Sequence, residues 1–204
     1  MASALIFSAY ESAIERKIKL TEYQFNNIKN FPLGWSSPYQ LTDIVFSITG
    51  NAELEFGGWI VRLREKEGNI FIFDYKSPLN KEFTEWDEIE TQVNNFDNTM
   101  SILLKIGLSP VLVLDRIRTD CIWDNFKLTL DNLKFIGHFL EIEIVDINKD
   151  ANFNLFSTHF NIELGDSQPP YGKIMLKEME NNSNINQEIS DYIKLKSEIT
   201  EINL

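Results

Sequence analysis

Apolar and polar residues alternate over residues 13–20, with Ile14, Ile18 and Leu20 set against Glu15, Lys17 and Lys19. A period of two predicts a β-strand. Thr21 and Gln24 form a capping box ahead of Phe25, Ile28 and Phe31, whose spacing predicts a short helix that Pro32 and Gly34 end. Leu41–Ile48 reads as a strand rich in β-branched residues. A loop over Gly50–Gly58 leads to Trp59-Ile60-Val61-Arg62-Leu63-Arg64-Glu65, a strand with Arg62 and Arg64 on one face and Trp59, Val61 and Leu63 on the other. Gly68-Asn69 turns this strand into Ile70–Lys76, and Ser77-Pro78 breaks it. Glu85–Val93 is a further strand. Asp97 or Asn98 caps a helix carrying Met100, Leu103 and Leu104, and Gly107 stops it. Pro110 opens a strand over Val111–Arg118, Asp124-Asn125 turns it into Phe126–Leu130, and Gly137 precedes a last strand, His138–Val145. Phe153, Phe156 and Phe160 have helical spacing, and Pro169-Pro170 starts another helix with Ile174, Met175 and Met179. Residues 181–204 are Asn-rich and weakly helical, carrying Ile185, Ile189, Tyr192 and Ile199, and read as a helix or tail appended to a domain over 1–180.

About eight antiparallel strands with helices at their connections predict an α+β protein: an eight-stranded β-barrel, closed or nearly so, with peripheral helices. Charged residues recur in i, i+2 pairs at Glu15/Lys17, Arg62/Arg64, Glu88/Glu90, Arg116/Arg118 and Glu141/Glu143. Any one such pair is an ordinary solvated strand face. The repeated set suggests an ion-lined inner wall, with Trp59, Phe71, Phe73 and Tyr75 turned outward beneath helices.

Composition bounds the chemistry. Nineteen basic against 31 acidic residues give a net charge of −12, which argues against non-specific nucleic-acid binding while permitting a local cationic pocket. A single cysteine, Cys121, forms no internal disulfide and reads as a reduced thiol. His138 and His159 have no metal-ligand partner at short spacing and read as structural. The run Ala4–Phe7 is too short for a secretory signal, and Lys105, Gly107 and Pro110 interrupt the apolar run Ile102–Leu114. These features point to a cytoplasmic protein with no membrane partner.

The charged strands follow a known order. Ala13-Ile14-Glu15-Arg16-Lys17 matches a Glu-x-Glu-x-Lys strand with its first Glu replaced by Ala13. Asp43-Ile44-Val45-Phe46-Ser47 partly matches a strand with two Asp residues around two aromatics, and Ser47 stands where the second Asp belongs. Arg62-x-Arg64, Lys76 before Pro78, Glu88-x-Glu90, Arg116-x-Arg118, Asp131 and Glu141-x-Glu143 follow in sequence, and Tyr171 falls at a recurrent tyrosine position. Over roughly residues 11–180 the chain resembles the CYTH superfamily, the triphosphate tunnel metalloenzymes. These include class IV adenylyl cyclases and thiamine and inorganic triphosphatases.

The resemblance implies a small-molecule triphosphate such as ATP held by Lys17, Arg62, Arg64, Lys76, Arg116 and Arg118, since guanidinium groups fork onto phosphate oxygens. It implies Mg²⁺ or Mn²⁺ held by Glu15, Glu141, Glu143, Asp131, Glu88 and Glu90, since hard cations take oxygen ligands. Glu15, Lys17 and Glu143 are the implied catalytic set, and a homodimer is implied by the cyclase branch. The stretch from Arg116 to Glu143, with Tyr171, is most similar to the class IV adenylyl cyclases, which make 3′,5′-cyclic AMP and pyrophosphate. Hydrolysis of inorganic, thiamine or nucleoside triphosphate stays open. So does a non-catalytic triphosphate-binding module, because Ala13 removes one carboxylate.

Overall fold

Strand β1 (Ala13–Leu20) leads through its capping box into helix α1 (Glu22–Lys29), where Thr21 Oγ1 accepts from Gln24 N at 3.2 Å and Gln24 Oε1 accepts from Thr21 N at 2.9 Å. Strands β2 (Tyr39–Ser47), β3 (Ile60–Lys66), β4 (Ile70–Pro78) and β5 (Glu85–Val93) follow, then helix α2 (Phe96–Lys105). Strands β6 (Ser109–Trp123), β7 (Phe126–Leu133) and β8 (Gly137–Ile144) complete the sheet. Helices α3 (Phe153–Phe160), α4 (Tyr171–Asn181) and α5 (Ser183–Ile202) end the chain. The computed structural model describes residues 13–47, 59–79, 85–146, 153–163 and 166–202. The expected loop over Gly50–Gly58, the strand end at Ile48 and the N-terminal run Ala4–Phe7 lie outside them.

The eight strands form one antiparallel barrel in the order β1-β5-β4-β3-β2-β6-β7-β8, with β8 returning to β1. Closure is uneven. Strand β1 pairs with β8 at six positions, from Glu15↔Glu143 to Leu20↔His138, but with β5 only at Ala13↔Trp86 and Ile14↔Glu85 among the described residues. The result is a strongly curled sheet with a narrow seam.

Pleat alternation sorts the side chains. On β7, Phe126, Leu128 and Leu130 turn outward into a cluster with Phe25 and Ile28 of α1, so Lys127, Thr129 and Asp131 turn inward. A second cluster joins Ile44, Phe46, Val61 and Leu63 to Met100 and Leu103 of α2 and Met175 of α4. Trp59, Phe71, Phe73 and Tyr75 pack against this second cluster, as the alternation predicts. His138 stacks on Phe25 at 4.4 Å and His159 on Trp123 at 5.1 Å, both in packing roles.

Several boundaries differ from those read in the sequence. The cap of α2 is Asn95, whose side chain accepts from Asn98 N at 2.8 Å, and not Asp97 or Asn98. Starting at Phe96 buries that ring and leaves Asp97 in the first turn, where its charge complements the helix dipole. The β3–β4 turn centres on Glu67 and Gly68, both at positive φ (52° and 74°), one residue earlier than Gly68-Asn69. Strand β6 runs on to Trp123 and β7 to Leu133, because their pairing continues from Trp123↔Phe126 to Arg116↔Leu133.

The terminal segment is a 20-residue helix with Ile185 and Ile189 buried in the same cluster as Met100 and Met175. Its weak apolar content reflects burial along one stripe. Ile189→Ala should therefore lower unfolding stability by about 2–5 kcal/mol. A denaturant midpoint unchanged from wild type would show α5 to be dispensable to the core. Among the described residues no helix is long and apolar enough to cross a membrane.

Candidate active site

The inward positions enclose a cavity of about 560 Å³. Among the described residues its wall carries seven cationic side chains (Lys17, Arg62, Arg64, Lys76, Arg116, Arg118 and Lys127) and five acidic ones (Glu15, Glu88, Glu90, Glu141 and Glu143). In a protein of net charge −12, the chamber wall itself thus carries two more cationic than acidic side chains.

Two buried aspartates organise the arginines from behind. Asp43, wholly inaccessible, accepts from Arg64 Nε at 2.7 Å and Arg64 Nη2 at 3.1 Å, and from Arg116 Nη2 at 2.8 Å. Arg62 Nη1 lies 3.6 Å from the same carboxylate. Burial pushes the Asp43 carboxyl up, but Arg116, Arg64 and Arg62 together outweigh it and hold it well below the usual range. Asp131, equally buried, takes a two-pronged contact from Arg118 (Nε 2.8 Å, Nη2 2.6 Å) and a hydrogen bond from the Tyr171 hydroxyl at 3.0 Å. Burial disfavours the Arg118 charge, yet Asp131 and Glu141 raise its pKa well above the ordinary value. Burial, Asp131 and Glu141 likewise push the Tyr171 phenol well up, so it remains a neutral donor. Asp74 accepts from Arg62 Nε at 2.5 Å.

Arg116 stands between the two hubs. Its Nη2 is held by Asp43, and its Nε lies 3.8 Å from Asp131 Oδ1, beyond hydrogen-bond reach. Nε and Nη1 have no hydrogen-bond acceptor among the described residues, although the residue is only 2% exposed. Buried charged donors left open in this way are costly unless a ligand accepts from them.

The opposite wall carries the carboxylates. Lys17, buried, lies 3.0 Å from both Glu15 and Glu141. Burial pulls its ammonium pKa down, but the two carboxylates win and raise it. Glu141 also contacts Arg118 at 3.0 Å, and despite burial the Lys17, Arg118 and Lys76 charges hold it well below the usual carboxylate range. Lys76 bridges Glu88 at 2.5 Å and Glu15 at 3.7 Å, and Lys127 pairs with Glu143 at 2.8 Å.

All six expected phosphate-binding residues line this one chamber, as do Glu15, Glu88, Glu90, Glu141 and Glu143. Asp131, also read as a metal-site carboxylate, is not among the residues lining the chamber. Its oxygens are engaged behind the wall by Arg118 and Tyr171, so it braces the arginines. Sequence reading left out Asp43, Asp74 and Lys127. A signal for Asp74 was present, since the β3–β4 hairpin sets it directly opposite Arg62. Asp43 lay inside a motif already recognised.

The donor set suits a hard divalent cation. Glu15 and Glu143 are register partners on β1 and β8, a like-charge pairing that Lys17, Lys76 and Lys127 offset and that a divalent cation would offset as well. Mg²⁺ is typically bound by one or two carboxylates together with phosphate oxygens and water. Among the described residues no three His, Cys, Asp or Glu side chains converge as a protein-only metal cage. Glu15 and Glu143, with Glu141 beside them, therefore fit a cation that shares its coordination with a bound phosphate.

An eight-stranded tunnel with arginines braced from behind and carboxylates facing them defines a class of barrel built around a polyanion. The CYTH domain pattern matches residues 11–168, and the chain belongs to the CYTH family. Members bind triphosphate substrates and are metal-dependent in general. Over 92 residues the chain is 30% identical to a Methanocaldococcus jannaschii protein named "putative adenylate cyclase MJ0240", a match covering 44% of this chain. That match spans about half (52%) of the relative's length. The fold is similar to the PH1012 protein of Pyrococcus horikoshii (TM-score 0.65, 18% identity, 77% of this chain and 94% of that one). It is also similar to HpAC1 of Hippeastrum, a "putative adenylyl cyclase" described as having a dominant triphosphatase activity (TM-score 0.60, 14% identity, 78% and 92%).

Proposed function

We propose that the chain is a metal-dependent enzyme acting on a nucleoside triphosphate, with adenylyl cyclase chemistry as the leading reading. The observation that carries it is the pair of open donors on buried Arg116, flanked by Arg62, Arg64 and Arg118. A row of forked cations around unfilled donors suits phosphate oxygens. The 560 Å³ chamber falls within the range for ligands of nucleotide size, and Val45, Ile60, Trp86 and Leu114 add apolar wall.

In this reading the arginines hold the phosphate chain and neutralise charge as it develops. Lys17, pinned between Glu15 and Glu141, stays charged and faces the phosphates. A ribose 3′-oxygen bonds to the α-phosphorus, the bond from that phosphorus to the bridging oxygen breaks, and pyrophosphate leaves. The hydroxyl proton passes to solvent water. Glu15 and Glu143 would hold a Mg²⁺ or Mn²⁺, which would supply Lewis-acid polarisation of the phosphate oxygens. The triphosphatase reading, with water attacking the terminal phosphorus, is favoured by the activity described for the Hippeastrum protein.

Purified protein given ATP, thiamine triphosphate or tripolyphosphate, with Mg²⁺ or Mn²⁺, separates the readings. Cyclic AMP with pyrophosphate is the expected product pair. Orthophosphate without cyclic nucleotide would transfer the assignment to a hydrolase. Tight binding without turnover, converted to turnover by Ala13→Glu, would identify a triphosphate-binding module. Failure to bind any triphosphate would overturn the whole reading.

A further inference from the structure

Lys127 belongs to none of the paired-charge motifs, yet it lines the chamber. It turns inward on β7 between outward-facing Phe126 and Leu128. Across the sheet it is in register with Glu143, which is in register with Glu15 on β1. One tier of the wall thus reads lysine, glutamate, glutamate over three adjacent strands. The neighbouring tier reads Thr129, Glu141, Lys17.

The two lysines of these tiers are held very differently. Lys17 is buried and sits 3.0 Å from two carboxylates, so moving it would break two buried ion pairs at once. Lys127 has a half-exposed side chain (48%) and, among the described residues, a single ion-pair partner, Glu143, itself 35% exposed. An ion pair this open is weak, so exchanging its partner costs little. The groups facing Lys127 explain where it stays when the chamber is empty. Glu143 attracts it directly, Glu141 adds attraction, and Arg118 repels it.

We propose that Lys127 is an exchangeable counter-ion: it occupies the Glu143 carboxylate in the empty tunnel and moves to the phosphate chain when a divalent cation takes that carboxylate. This rests on the triphosphate reading above. A cation settling between Glu143 and Glu15 repels the ammonium. Glu141 is already held by Lys17 and Arg118, so the negative charge left free belongs to the phosphates, and the flexible four-carbon stem lets the ammonium reach them. Metal alone must displace Lys127, whereas metal with triphosphate gives it a new partner. The exchange therefore couples the two ligands, each tightening the other by the same factor.

The test compares wild type, Lys127→Met and Lys127→Arg as full-length chains. Mn²⁺ is titrated alone, followed by calorimetry or by loss of free-Mn²⁺ paramagnetic signal. Tripolyphosphate is then titrated at saturating Mn²⁺. Lys127→Met should bind Mn²⁺ alone about fivefold more tightly, since a weak competing ion pair is gone. The same variant should bind tripolyphosphate about tenfold more weakly, since a charge-assisted contact is lost. Lys127→Arg should restore most of the phosphate affinity. A lysine serving structure alone would not move the two affinities in opposite directions. Unchanged or weakened Mn²⁺ binding in Lys127→Met, or undiminished tripolyphosphate affinity, overturns the proposal while wild-type binding stands. Absence of tripolyphosphate binding by wild type would instead sink the triphosphate reading on which it rests.

Discussion

Asp43→Asn is expected to cost about 3–5 kcal/mol of stability at neutral pH, because it leaves buried guanidinium groups without their shared counter-charge. The size follows from the geometry. One inaccessible carboxylate accepts three hydrogen bonds from Arg64 and Arg116 and lies 3.6 Å from Arg62. Asparagine keeps the shape but removes the charge and offers an N–H where a donor already points. The pH dependence has a definite sign. A folded-state pKa held well below the unfolded value of about 3.9 gives stability that is fully present above that value and is lost as pH falls through the folded pKa. Glu141, also held low, adds to the same acid-side loss. Wild type should therefore lose stability as pH drops below about 4, and the difference between wild type and Asp43→Asn should shrink there. Urea melts of both proteins at pH 7 and pH 3 measure this, and an equal gap at the two pH values would show that the Asp43 charge does not hold the cluster.

Arg116→Lys should lower tripolyphosphate affinity by about 100-fold, as expected when two open charge-assisted donors are exchanged for one point charge. Lysine keeps the positive charge that Asp43 requires, so the loss falls on the fork. Arg118→Lys is the informative contrast. Arg118 already spends Nε and Nη2 on Asp131 and Glu141, so its replacement should shift stability more and phosphate affinity less. Calorimetry with tripolyphosphate and denaturant melts on both variants give the comparison. Equal affinity losses would mean that the open donors of Arg116 are not the ones the ligand uses.

How far these features could be read in advance depends on what alternation can encode. A period of two marks which face a residue joins, so Arg62, Arg64, Arg116, Arg118, Glu141 and Glu143 were all placed on the chamber wall. It carries no information on depth behind that wall. Asp131 shares the inward face, yet its carboxylate is turned into the arginine layer, and Asp43 and Asp74 brace the same layer from positions assigned no role. Lys127 escaped because its partner Glu143 lies across a strand boundary, where register and not spacing brings charges together. Helix α5 was underread for a related reason. Its stripe of Ile185 and Ile189 is narrow, and only the cluster it meets shows that the stripe is buried. The Asn95 cap was missed because burial of Phe96 moved the start of the helix ahead of Asp97 and Asn98.

The seam between β1 and β5 gives the tunnel an asymmetric wall. Among the described residues, parting these strands sacrifices two backbone pairings, whereas parting β1 from β8 would sacrifice six. Glu15 and Glu88 flank the weak side, and Lys76 spans it by touching both. In the triphosphate reading, a bulky organic group attached to the phosphate chain would leave the chamber on this thinly paired side, away from the six-pair junction of β1 with β8.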